Sequence, residues 1–86
     1  PAAGGVSLGA ASPNPAGALT RIRLRADAAV RVVLLDARGR EVRTLLDGPA
    51  SDTTLDVDVR GLLAGVYAVR ALSAQGASTV RFVVAR

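Results

Sequence analysis

Val30-Arg31-Val32-Val33-Leu34-Leu35-Asp36-Ala37-Arg38-Gly39-Arg40-Glu41-Val42 contains a strand, a turn and the start of a second strand. Successive side chains of an extended chain point to opposite faces, so Val30, Val32 and Leu34 share one face. Asp36 can accept hydrogen bonds from backbone N–H groups of a turn, and Gly39 can take a positive φ without a Cβ clash. Asp36-Ala37-Arg38-Gly39 therefore joins two antiparallel strands. Glu41 to Leu46 reads as the second of them, with Val42 inward.

The same period of two recurs on both sides. Val6 and Leu8 form a weak first strand. In Leu19-Thr20-Arg21-Ile22-Arg23-Leu24-Arg25, Ile22 and Leu24 face one way and three arginines the other. Leu55, Val57 and Val59 alternate with Asp56 and Asp58. Gly65 to Leu72 places Tyr67, Val69 and Ala71 on one face, and Val80, Phe82 and Val84 repeat the pattern. β-branched residues fill these runs, and no window sustains an apolar stripe at helical spacing. Ser73-Ala74-Gln75-Gly76 has the shape of the Asp36 turn and joins the last two strands. Seven short strands with frequent turn signals predict an all-β, immunoglobulin-like antiparallel β-sandwich.

Composition narrows the function. Eighty-six residues allow one small domain. There is no cysteine, histidine or lysine, which removes disulfides, thiolates, the commonest general base and Schiff-base chemistry. Serines and threonines have no base beside them, so the reading is non-catalytic, without cofactor or metal. The apolar runs are far shorter than the ~20 residues that span a membrane. The net charge is +4, and every cation is arginine. Phe82 and Tyr67 are the only aromatics, which argues against single-stranded nucleic acid. Pro1-Ala2-Ala3-Gly4-Gly5 reads as a linker remnant ahead of a domain over residues 6–86. No signal peptide opens the chain, and its start without methionine suggests excision from a longer protein.

Pro13-Asn14-Pro15 precedes an alternating strand, Asp36 leads to Gly39-Arg40-Glu41-Val42, and Leu62, Gly65 and Tyr67 form Leu-x-x-Gly-x-Tyr. A short apolar strand follows. This series resembles the C-terminal sorting domain, type A, of proteins exported by the type IX secretion system of the Bacteroidota and their relatives. The resemblance covers roughly residues 6–86. It implies an immunoglobulin-like sandwich at the end of a larger secreted protein. It further implies direction across the outer membrane to the cell surface or medium, often with cleavage on the way. The implied partners are the outer-membrane secretion machinery and an N-terminal cargo domain of the same chain. Ser12 and Leu35 stand where the family often has aromatics, and the chain ends in arginine where lysine is common. The immunoglobulin-like domain of the flagellar hook-capping protein shares these landmarks. The alternative function is an immunoglobulin- or fibronectin-like spacer or adhesion module.

Each candidate has a plain structural reading beside the functional one. Pro13-Asn14-Pro15 could be a recognition signal, but two prolines also simply end one strand before the next. Gly65 and Tyr67 suggest a tyrosine corner, with the hydroxyl bonded to upstream backbone. Asp52, Asp56 and Asp58 could bind calcium, but one strand supplies too few oxygens. Asp56 and Asp58 instead pair across strands with Arg21, Arg23 and Arg25. The arginines could contact lipopolysaccharide phosphate, against the default of a solvated face. Alternation sends Val33, Leu35, Val66, Ala68, Val83 and Ala85 outward on neighbouring strands, flanked by Arg31, Arg70 and Arg81. These residues predict one apolar docking face beside a terminal edge strand open to β-augmentation.

Overall fold

The computed structural model describes residues 6–85; the linker-like stretch 1–5 lies outside the described residues. Seven strands follow in order: β1 (Ser7–Leu8), β2 (Leu19–Arg25), β3 (Ala29–Leu35), β4 (Glu41–Pro49), β5 (Thr53–Asp58), β6 (Gly65–Ser73) and β7 (Gly76–Val84). They form two antiparallel sheets, one ordered β1-β2-β5 and the other β4-β3-β6-β7. The architecture is the expected all-β sandwich.

The core is what the alternation selects. Ile22 and Leu24 come from β2, Val57 from β5, Val30, Val32 and Leu34 from β3, Tyr67, Val69 and Ala71 from β6, and Phe82 and Val84 from β7. Tyr67 faces Phe82 directly across β6 and β7, with ring centroids 6.1 Å apart and planes 26° from parallel. Thr20 is the buried polar residue of β2, and its hydroxyl donates to the Pro13 carbonyl at 2.8 Å, so the burial leaves no unpaired oxygen.

The turns form through the groups named in the sequence. Asp36 Oδ1 accepts from the N–H of Arg38 at 2.9 Å and of Arg40 at 3.0 Å, and Gly39 has φ 82°. Between β6 and β7, Ser73 and Gly76 pair directly, and Ser73 Oγ accepts from the Gln75 N–H at 3.2 Å.

Three expectations need correction. Val42 does not point into the core. Register shifts in the β3–β4 ladder, between Val32 and Val33 and between Leu34 and Leu35, mark bulges that break the alternation of β4. Val42 is left 41% exposed, and Leu45 and Leu46 pack against the core instead. Val33 is not a surface residue. It lies outside the core cluster but is only 3% exposed. Strand β3 is central, so Val33 is flanked by Thr44 and Arg70. Arg31 and Glu41, which sits opposite Leu35, join at 2.7 and 3.3 Å across the row between them, the row of Val33. Finally, only one of the arginine–aspartate rungs between β2 and β5 forms, Arg21 to Asp56 at 3.2 Å. Asp58 sits opposite Leu19 and turns to Arg60 at 2.9 Å, while Asp52 Oδ1 accepts from the Ala26 N–H at 3.2 Å.

The bulged register has a direct consequence for stability. Leu34→Ala should cost about 2–5 kcal/mol as a cavity in the core, whereas Val42→Ala should stay within about 0.5 kcal/mol of wild type. Chemical denaturation of both variants checks this; a large loss at Val42 would contradict the register.

Candidate functional site

Three features assemble on the outer side of the four-stranded sheet and along its β7 edge. The first is the corner at the start of β6. The Tyr67 hydroxyl donates to the Leu63 carbonyl at 2.7 Å, four residues upstream, which fixes the loop entering the strand. Leu62 packs against the core, and Gly65 has φ 153°, a backbone conformation side chains with Cβ rarely adopt. Its neighbour Leu63 is held outward, 83% exposed. Leu62, Gly65 and Tyr67 are legible in the sequence as a motif, whereas Leu63 is not. The available signal was two leucines in one short loop, of which a corner buries only one.

The second feature is a shallow depression of about 370 Å³ on the outer face, lined by Leu35, Val66, Ala68, Arg70, Thr79 and Arg81 among others. Its floor forms because Ala68 is small and sits between Leu35 of β3 and Arg81 of β7 in the ladder. Val66 and Val83 face each other across β6 and β7 and are 48% and 39% exposed. A smaller depression joins Leu63 and Ala64 to Val66 and Tyr67. Leu63, Val66 and Val83 thus form an exposed apolar strip at one end of the face. The structure brings together Leu35, Val66, Ala68, Arg70 and Arg81 from the expected set. It removes Val33, which is covered, and Arg31, which is bound to Glu41. Ala85 is exposed beyond β7.

The third feature is the segment Pro13-Asn14-Pro15-Ala16. Its Ser12–Pro13 and Asn14–Pro15 bonds are cis. Asn14 Oδ1 accepts from the Val83 N–H at 2.9 Å, the Ala16 N–H donates to the Val83 carbonyl at 2.7 Å, and the Ala85 N–H donates to the Ala16 carbonyl at 2.9 Å. Ala16 is fully buried and forms a parallel bridge with Val84. The C-terminal part of the β7 edge is therefore occupied, not open as the alternation alone implied.

Residues 11–85 match the model of a family described as the secretion system C-terminal sorting domain. The chain belongs to that family. No curated protein and no solved structure matches it. It is a C-terminal sorting domain for type IX secretion. Membership implies interaction with the secretion machinery, attachment to a cargo protein, and export to the cell surface or medium. The lipopolysaccharide reading of the arginines gains no support: Arg21, Arg31, Arg40 and Arg60 hold carboxylates and Arg43 donates to the Asp58 carbonyl.

Two carboxylates of the sorting domain are acidified by their surroundings. The Arg40 and Arg38 N–H groups and the Arg40 guanidinium stabilise the ionised form of Asp36, so its pKa lies below the ordinary value. Asp58 falls to about 2, chiefly through the side-chain bonds from Arg60. A carboxylate whose folded pKa is depressed contributes stability above its unfolded value and loses it as pH falls through the folded one. The melting temperature should therefore decline as pH drops from 3.8 towards about 2. The double variant Asp36→Asn, Asp58→Asn should show a shallower decline in thermal melts; an unchanged slope would contradict the assignment.

The corner has its own test. Tyr67→Phe should lose about 0.5–1.5 kcal/mol, the worth of one hydrogen bond. Gly65→Val should also destabilise, through its backbone conformation. Wild-type melting of both would show that the corner does not hold β6.

Proposed function

We propose that this domain is the export address of a larger secreted protein, joined to its cargo on the N-terminal side. The outer-membrane secretion machinery reads it through the outer face of β6 and β7. The route runs through the periplasm and across the outer membrane to the surface or the medium. The domain acts by binding alone: a folded sandwich presents a fixed pattern of side chains, and the partner supplies the transport.

The observation that carries this reading is the one-sided apolar strip of Leu63, Val66 and Val83, continuous with a depression bordered by Arg70 and Arg81. The outer face of the other sheet has arginines at Arg21, Arg23 and Arg25 in strict alternation, with no comparable strip. Large exposed aliphatic residues gathered on one face favour contact with another protein. Arg70 and Arg81 form no ion pair among the described residues, which leaves their guanidinium groups available to a partner.

The test is a signal-peptide-bearing reporter fused ahead of the domain in a host with a type IX system. Removing β7 would be uninformative, since it takes Phe82 and Val84 from the core. Val66→Asp and Val83→Asp alter only outward side chains. The wild-type fusion should be found outside the cell. The double variant should be retained in the periplasm, with extracellular reporter reduced at least about tenfold, equivalent to about 1.4 kcal/mol of lost recognition. Purified double variant with a wild-type melt and undiminished export would refute the proposed face.

A further inference from the structure

The edges of the two sheets are guarded in different ways, and one guard is a segment outside both sheets. An edge strand presents unpaired N–H and C=O groups that invite another strand. Strand β4 carries bulges and ends at Pro49. Strand β5 bears Asp56 and Asp58, and β1 is two residues long. Strand β7 has none of these devices. It is nine residues of Gly76-Ala-Ser-Thr-Val-Arg-Phe-Val-Val, with a single charge and no proline. Such a run is prone to pair with itself when exposed.

The hairpin fixes which groups of β7 point away from the sheet. Ser73 and Gly76 close a two-residue turn and form a hydrogen-bonded pair, and the ladder alternates from there. Backbone groups of Ala77, Thr79, Arg81 and Val83 are therefore directed outward. At Val83 they meet the Asn14–Ala16 segment, which supplies an acceptor from the Asn14 side chain and a donor from the Ala16 backbone. The segment bonds to β7 as an added strand would, through the parallel Ala16–Val84 bridge. It cannot itself be extended easily, because Pro13 and Pro15 have no N–H to offer.

We propose that Asn14–Ala16 masks a self-pairing surface on β7, and that a second copy of this chain pairs there, antiparallel, when the segment is displaced. The sequence of β7 favours this occupant. A two-fold pairing centred on Val80 sets Thr79 opposite Arg81 of the second copy and Ala77 opposite its Val83, so no like charges meet. With the segment in place Val83 is blocked, and only the Thr79–Arg81 rungs remain, too few for a stable ladder. The Pro-Asn-Pro motif is thus an edge guard that keeps the domain monomeric, whatever surface the secretion machinery reads.

The experiment measures the oligomeric state of the chain by sedimentation over a wide concentration range. Wild type should be monomeric. Asn14→Ala removes the acceptor for the Val83 N–H, and Ala16→Arg expels the segment from a fully buried position. Both should dimerise at least about tenfold more tightly than wild type. Asn14→Asp keeps an acceptor and should remain monomeric. Thr79→Pro alters an exposed residue whose N–H points outward, and adding it to Asn14→Ala or Ala16→Arg should return either variant to monomer. A dimeric wild type, or an Asn14→Ala variant that melts cooperatively and stays as monomeric as wild type, would overturn the proposal. So would a dimer that survives Thr79→Pro. Should Ala16→Arg fail to fold, Asn14→Ala decides alone.

Discussion

The structure depends on a segment that belongs to neither sheet. Ser12 exchanges backbone hydrogen bonds with Arg21 of β2 at 2.8 and 3.0 Å, and Thr20 of the same strand holds the Pro13 carbonyl. Two residues later the chain has crossed to β7, where Asn14 and Ala16 bond to Val83 and Ala85. One side of the sandwich is closed by this crossing. The other is bridged by Arg43 of β4, which donates to the Asp58 carbonyl of β5 at 2.8 Å. A domain of this size without a disulfide has only a modest core, so the closure of its sides matters to its stability.

The same crossing explains how a domain with a recognition role can keep a smooth, apolar last strand. The inner residues of β7 are needed for the core, and its outer residues contribute to the strip with Leu63 and Val66. Charges placed along the strand would protect its edge but spoil both faces. Covering the edge from outside leaves the faces free. The tyrosine corner works to a similar end at the start of β6: by binding the Leu63 carbonyl, Tyr67 holds an exposed leucine in a fixed place beside Val66.

Much of this was legible in the sequence because period-two alternation needs no tertiary information. Ile22 and Leu24, Val30, Val32 and Leu34, and Val69, Ala71, Phe82 and Val84 all lie where alternation puts them. The Asp36–Gly39 turn and the Tyr67 corner were readable because each is made by local chemistry. What was not legible depended on neighbours. Bulges in β4 turned Val42 outward, and bulges leave little trace in a single sequence. Val33 was assigned to the correct face but to the wrong exposure, since its cover comes from Arg31 and Glu41, ten residues apart in the chain. Pro13-Asn14-Pro15 was recognisable as a break between strands; that Asn14 would serve as an acceptor for a strand 69 residues away was not. The docking face was outlined by Val66, Ala68, Val83, Arg70 and Arg81, but Leu63 entered it only through the corner.

The Asn14–Ala16 segment completes the sandwich by closing the β7 edge. Amide hydrogen exchange tests it residue by residue. Val83 and Ala85 donate to Asn14 and Ala16, whereas the Thr79 and Arg81 N–H groups point outward past the end of the segment. Exchange should be slow at Val83 and Ala85, approaching that of Val69 and Phe82 in the core, and fast at Thr79 and Arg81. Exchange at Val83 and Ala85 as fast as at Arg81 would contradict it.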